Sequence, residues 1–395
     1  MREIRGLGIL AAVALAVAVG TGGGEVADPS FPLEVEELLP HAVGFRETAV
    51  LTGFGRKPFV FLAAGDVNAD GMVDVICAQG DEVLRFLGRG EGQFHEGEPA
   101  GLFYWDTPGD LRDFEGTSAV LADLNGDGLP DLVVSGGLRV PGLSEGLLFV
   151  FENDRGLRFI LKERRKLTVP AVWLEFTDLT GDGHPDLLVP QWEGKEVFYL
   201  LPGQEGVGFG EAVPYIIPQE GATGLPLSLG DIDGDGFPDL VLLHNNPRTW
   251  PDTGFVSVYW GKAQFTEVTK FKPSPAPARH GAVADLTGDG QLELVLATGQ
   301  GAVVARYTEQ GFEEIGLYHP GFTPEAVFVA HFDGDRNLDL LVQGLENYEL
   351  AVLPGDGRGG FLGRASEYAL PLGFMGSVHV ADVTGDGLPD LLLAG

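Results

Sequence analysis

Carboxylates recur along this chain at a spacing that suits a hard cation. One nine-residue unit appears seven times: DVNADGMVD from Asp66, DLNGDGLPD from Asp123, DLTGDGHPD from Asp178, DIDGDGFPD from Asp231, DLTGDGQLE from Asp285, HFDGDRNLD from His331 and DVTGDGLPD from Asp382. Oxygen-bearing side chains stand at positions 1, 3, 5 and 9 of the unit. The candidate metal ligands are Asp66, Asn68, Asp70 and Asp74; Asp123, Asn125, Asp127 and Asp131; Asp178, Thr180, Asp182 and Asp186; Asp231, Asp233, Asp235 and Asp239. The later copies add Asp285, Thr287, Asp289 and Glu293; Asp333, Asp335 and Asp339; and Asp382, Thr384, Asp386 and Asp390.

Calcium takes about 6 to 8 oxygen ligands, so a tight loop of carboxylates with a position-7 carbonyl, such as that of Leu129, suits it. Magnesium holds its waters and demands strict octahedral geometry, which suits a dedicated loop less well. Gly128, at position 6, permits the turn because glycine enters left-handed geometry without steric cost. An EF-hand shares this opening but needs Glu at position 12, where Cys77, Val134, Val189, Leu242 and Leu296 stand in the first five copies. The expected cofactor is calcium, about six or seven ions, one per loop. The sixth copy departs most, with His331 at position 1 and Arg336 in place of glycine, and its occupancy is the open one. These loops hold 22 of the 58 acids, so a cation that neutralises them stabilises the folded chain by linkage.

The elements that position the loops read as strands. Apolar runs of four to six residues flank each loop, such as SAVLADL before and DLVVSG after, or AVFVAHF before and DLLLAG at the end. Loop starts fall 57, 55, 53, 54, 46 and 51 residues apart, too long for a two-helix repeat and suited to a four-stranded blade. With 60 Gly and 26 Pro, the fold class expected is all-β, a seven-bladed β-propeller with a calcium-binding loop per blade. The last repeat ends two strands in, so the strand GFRETAVLTG near the N-terminus is expected to close the seventh blade and cover its edge.

On these seven loops the chain resembles the FG-GAP or VCBS-type repeat family, best known from the propeller heads of integrin α-subunits. The likeness covers roughly residues 41–395, and the acidic loop carries it. It implies calcium on one face, between the first and second strands of each blade, with ligand binding on the opposite face.

The formal charge of −33 argues against nucleic acid as a partner. A single cysteine, Cys77, in the apolar run VDVICAQG, excludes an intramolecular disulfide framework and reads as a buried thiol. Arg2 and Arg5, the apolar stretch Leu7 to Val19 and the small residues GTGGG have the layout of an export signal, with Ala18-Val19-Gly20 as a cleavage site. The domain organisation expected is a signal and cleavage region at 1–27, a linker at 28–40 and the propeller at 41–395. The protein is then secreted, periplasmic or at the cell surface, touching a membrane only through an uncleaved signal anchor.

Long loops away from the acidic motifs carry Tyr104, Trp105, Arg139, Trp192, Arg248, Trp250, Arg279 and His280. Aromatics stack on sugars or peptides and bases attract acidic groups, so these are the candidate ligand-binding residues, for a polysaccharide or an extracellular protein. No catalytic residue is assigned: H-E-x-x-H and phosphate-loop patterns are absent, and no spacing ties His244, His280 or His319 to Asp110 or Asp252. The reading is a binding or adhesion module. The alternative is an extracellular polysaccharide-active enzyme, lyase-like, which the resemblance allows because related propellers occur in such enzymes.

Overall fold

The computed structural model describes residues 14–22, 43–52, 59–79, 82–102, 114–138, 146–167, 174–191, 197–216, 224–244, 255–274, 277–344, 349–362, 366–369 and 377–394. These residues form strands and turns, and no helix occurs among them. The strands make seven four-stranded antiparallel sheets, each built around one acidic loop.

The first sheet is Phe59–Gly65, Asp74–Gln79, Glu82–Phe86 and Glu98–Leu102; the second is Phe114–Ala122, Asp131–Leu138, Gly146–Asp154 and Arg158–Leu167. Glu175–Thr177, Asp186–Gln191, Val197–Leu201 and Val213–Ile216 form the third, and Gly224–Gly230, Asp239–His244, Phe255–Tyr259 and Val268–Phe271 the fourth. The fifth is Ala278–Ala284, Glu293–Thr298, Gly301–Thr308 and Gly311–Tyr318, and the sixth Pro324–Ala330, Asp339–Gly344, Glu349–Leu353 and Ser366–Ala369. In each, the acidic loop joins the first strand to the second, as the apolar flanks predict.

The apolar runs are continuous because both faces of the middle strands are covered. Asp239–His244 is buried at every position, whereas the outer strand Gly311–Tyr318 is mostly exposed or half-buried. Successive side chains of a strand point to opposite faces. Leu187 accordingly packs with Val133 and Leu148 of the second sheet, and its neighbour Leu188 with Leu240 and Tyr259 of the fourth. Similar clusters join the first sheet to the second, the fourth to the fifth and the fifth to the sixth. Leu392 and Val383 of the seventh repeat pack on Val75, Leu84 and Cys77 of the first. The core thus lies between sheets, and each fully buried Leu, Val or Phe contributes roughly 1.5–3 kcal/mol. Burial pushes the Cys77 thiol well above its ordinary range, as an inert core cysteine requires.

The seventh sheet takes strands from both ends of the described chain. Its order is Val43–Thr52, Ala14–Gly22, Asp390–Ala394 and Ser377–Ala381. The segment expected to close it, GFRETAVLTG, falls in Val43–Thr52 at the outer edge, except for its last glycine, which lies outside the described residues. Between it and Asp390–Ala394 runs Ala14–Gly22, paired Leu15 with Ala394 and Ala18 with Leu391. That segment belongs to the stretch read from sequence as an export signal, and its alternating small and β-branched residues fit a strand equally well. Among the described residues, no helix is long and apolar enough to cross a membrane.

Candidate metal centres

Most acidic loops fold around their own first residue. In the second copy, one oxygen of Asp123 accepts the amides of Gly126 (2.8 Å) and Asp127 (3.1 Å), and the other accepts that of Gly128 (2.9 Å). Gly128 turns these N–H groups inward at φ 87°, where a side chain would be strained. Asp66, Asp178, Asp231, Asp285 and Asp382 bind the amide at position 6 in the same way, at 2.8–2.9 Å. At position 5, Asp127 receives the Leu129 amide at 2.9 Å, which orients the carboxylate.

The sixth loop reaches a similar end by another course. Histidine at position 1 lacks the two acceptor oxygens of aspartate, and His331 Nδ1 lies 2.7 Å from the Asn337 carbonyl. Arg336 stays out of the left-handed region, while Gly334 enters it at φ 77°. Asp333 accepts the Asp335 amide at 2.9 Å, and Asp335 accepts both N–H groups of Asn337, at 2.6 and 2.8 Å.

Two groups of three acids converge among the described residues. Asp231, Asp233 and Asp239 offer oxygens within 4.8 Å of one another, as do Asp333, Asp335 and Asp339. Convergent hard oxygen donors on a loop are the donor set a divalent cation such as calcium takes. The residues therefore fit the metal that the repeat implies, and the irregular sixth loop fits it as well as the most acidic one.

Position 9 has a second role that spacing alone does not reveal. Asp74, Asp131, Asp186, Asp239, Glu293, Asp339 and Asp390 are all buried, at 0–1% exposure. One oxygen of Asp239 accepts the Ile232 amide at 2.9 Å, inside the loop, and the other accepts that of Gly261 at 2.8 Å, beyond the third strand. Asp74, Asp186 and Asp339 bind Gly88, Gly203 and Gly355 likewise, each within 2.8 Å. The acid ties the loop to the hairpin that follows the third strand.

That hairpin was legible but not singled out. LGRGEGQF (87–94), PGQEGVGF (202–209), WGKAQF (260–265) and PGDGRGGF (354–361) share a glycine and a following phenylalanine. In three of them the glycine and the phenylalanine bridge: Gly88 with Phe94, Gly203 with Phe209 and Gly355 with Phe361. The glycine is needed because a Cβ on Gly261 would lie 2.1 Å from the Pro238 carbonyl oxygen. In the second sheet Asn153 takes this place, donating its amide to Asp131 at 2.8 Å and its side chain to the Val67 and Pro130 carbonyls.

Burial pushes the carboxyls of Asp131, Asp239 and Asp339 up to about 6; the amides they accept oppose this, and the loop acids beside them add to it. Asp74 is raised for the same reasons. A cation in the loop would remove the repulsive part of that cost.

The candidate ligand-binding residues are less gathered. Tyr104, Trp105, Arg139, Trp192, Arg248 and Trp250 lie outside the described residues, as do Asp110 and Asp252. Arg279 faces Glu325 across the fifth and sixth sheets at 3.7 Å. His280 turns inward, accepting the Val327 amide on Nδ1 at 3.3 Å and packing on Phe328, and burial lowers its pKa. His244 is stacked on Phe255 with ring centroids 4.4 Å apart. His319 Nδ1 lies 2.7 Å from the Gln300 carbonyl, so the three histidines serve separate local contacts. The basic run of the second sheet is also engaged: Lys162 pairs with Glu152, Arg164 lies over Phe149, and Arg165 donates to the Phe209 and Gly210 carbonyls of the third-sheet hairpin.

Residues 66–134, 178–242 and 331–393 match the FG-GAP-like repeat. Over 152 residues the chain is 34% identical to integrin alpha-PS5 of Drosophila melanogaster, a match covering 33% of this chain and 15% of that relative. The chain thus spans a small part of the length of the curated relative it matches. Among solved structures it is similar to an Agrocybe aegerita lectin described by its recognition of non-reducing terminal N-acetylglucosamine (TM-score 0.60, 17% identity, 98% of this chain and 96% of that one). It is also similar to a Lactobacillus plantarum protein (TM-score 0.51, 10% identity, 90% and 96% covered). At these identities the likeness is one of all-β, propeller-like fold.

Proposed function

Because the chain belongs to the FG-GAP-like repeat family, we propose that it is an exported β-propeller of seven blades, held by calcium in its acidic loops, that binds a polysaccharide or extracellular protein on the opposite face. The observation that carries this reading is the convergence of Asp231, Asp233 and Asp239, and of Asp333, Asp335 and Asp339, on oxygens within 4.8 Å. In the fourth loop Asp231, Asp233, Asp235 and Asp239 would hold the ion with the carbonyl of Phe237. The ion supplies charge neutralisation, and the chain supplies the amide-braced loops that orient its carboxylates.

The sugar part of the proposal rests on two supports. The Agrocybe aegerita lectin, which recognises terminal N-acetylglucosamine, shares the fold over nearly its whole length. The long loops of this chain carry aromatic and basic residues, Tyr104, Trp105, Arg139, Trp192, Arg248 and Trp250, away from the acidic motifs. The test has two arms. A thermal melt with calcium and after chelation reads the scaffold, and an unchanged melting temperature would remove calcium from the proposal. A screen against N-acetylglucosamine-terminated glycans and acidic polysaccharides reads the opposite face: saturable binding without turnover supports a binding module, and product release replaces it with an enzyme.

A further inference from the structure

Glu293 holds position 9 of the fifth loop, and its surroundings differ from those of the other copies. In register it pairs with Arg306 of the third strand. Extending the antiparallel registers places Leu87, Glu152, Pro202, Trp260 and Pro354 at the corresponding position of the first, second, third, fourth and sixth sheets. None of these is basic. Arg306 donates Nε to Glu293 Oε1 at 2.7 Å, with Nη2 at 2.5 Å from the same oxygen, while Oε2 accepts the Leu286 amide at 2.9 Å. The Glu293 side chain is fully buried and that of Arg306 is 28% exposed, so the pair is largely withdrawn from water.

The neighbouring sheet also lies against the guanidinium. A Cβ on Gly359, in the sixth-sheet hairpin, would meet Thr287 at 3.2 Å and Arg306 Nη2 at 3.5 Å, so the neighbouring sheet covers the arginine. The fourth loop has a lysine nearby, Lys262, 3.5 Å from Asp235, but it is 68% exposed and can swing into solvent. Arg306 has no such escape.

We propose that the fifth loop takes no calcium and that Arg306 is its permanent cation. The residues do not fit the metal: the oxygen a divalent ion would need is already held by a covered positive charge, and an ion added there meets direct repulsion. Glutamate in place of aspartate follows from the same geometry, because the extra methylene lets one carboxylate reach both the loop amide and the arginine. This sheet keeps its loop closed when calcium is withdrawn from the others.

The inference rests on the calcium reading above, and bound calcium per chain, measured by equilibrium dialysis with elemental analysis, tests both. Asp127→Ala and Asp289→Ala remove equivalent exposed acids from the second and fifth loops. Asp127→Ala is expected to lose one ion per chain, Asp289→Ala none, and Arg306→Gln to gain one. Loss of one ion from Asp289→Ala overturns the proposal and leaves the calcium reading intact. A wild-type chain that binds no calcium overturns both. Should Arg306→Gln fail to fold, the comparison of the two alanine variants decides the matter alone.

Discussion

Removing Asp186 from calcium-free protein separates its two roles. Its carboxylate is fully buried and accepts the amides of Leu179, Thr180 and Gly203, each at 2.8 Å. Asp182, in the same loop, is exposed and accepts a single amide, that of His184, at 2.9 Å. Leaving a buried donor unsatisfied costs about 1–3 kcal/mol. Three partly buried donors, each taken at the low end, give roughly 3–4 kcal/mol for Asp186→Ala. Asp182→Ala exposes its amide to water and costs at most about 0.5 kcal/mol, with relief of carboxylate repulsion acting in the opposite direction. Denaturant unfolding in excess chelator is the assay, because no metal is then lost by either variant. The expected result is a large fall in midpoint for Asp186→Ala and almost none for Asp182→Ala. With calcium restored, both are expected to fall below wild type. Equal and small effects in chelator would refute the tie between loop and hairpin and leave position 9 as a ligand alone.

Three other outcomes are expected. Gly261→Ala drives a Cβ to 2.1 Å from the Pro238 oxygen and disturbs the Asp239 contact, so it should destabilise by about 3 kcal/mol in a chemical melt, and a neutral effect would contradict the packing. Burial raises the Glu175 carboxyl from 4.5 to about 7, so its contribution to stability is full below pH 4.5 and is lost as pH rises through about 7. Glu175→Gln is therefore expected to gain stability on wild type between pH 5 and pH 8, by up to about 3 kcal/mol, and a pH-independent difference would rule this out. Intact mass of the protein reads the seventh sheet: a chain that keeps Ala14–Gly22 retains the strand next to Asp390–Ala394, and removal of the residues up to Gly20 would leave that place to Val43–Thr52.

The repeat was legible because the acidic loop and the apolar runs beside it are local signals, and each recurs with the same spacing. Strand type followed from Gly-rich turns and continuous apolar stretches such as DLVLLH, buried throughout. What spacing could not separate was the burial of position 9 from the exposure of position 5, since both are simply aspartate in the motif. The Arg306 pairing was hidden for another reason: it depends on register across two strands, thirteen residues apart in the chain. His280 looked like a surface ligand because histidine in a Pro-rich neighbourhood reads as loop, yet it lies on a strand, and its ring meets the adjacent sheet. The segment Ala14–Gly22 shows a true ambiguity, because a short apolar run satisfies the requirements of an export signal and of a strand alike.

In a chain that keeps Ala14–Gly22, its pairing with Asp390–Ala394 also decides how the molecule bears mechanical load. Leu15 is opposite Ala394, so the chain leaves both strands at the same end of their shared ladder. Tension between segments attached at the two termini therefore opens that ladder one hydrogen bond at a time, like a zipper, instead of shearing all its bonds together. The seam is expected to part before the other six sheets, which lie outside the loaded path until it does.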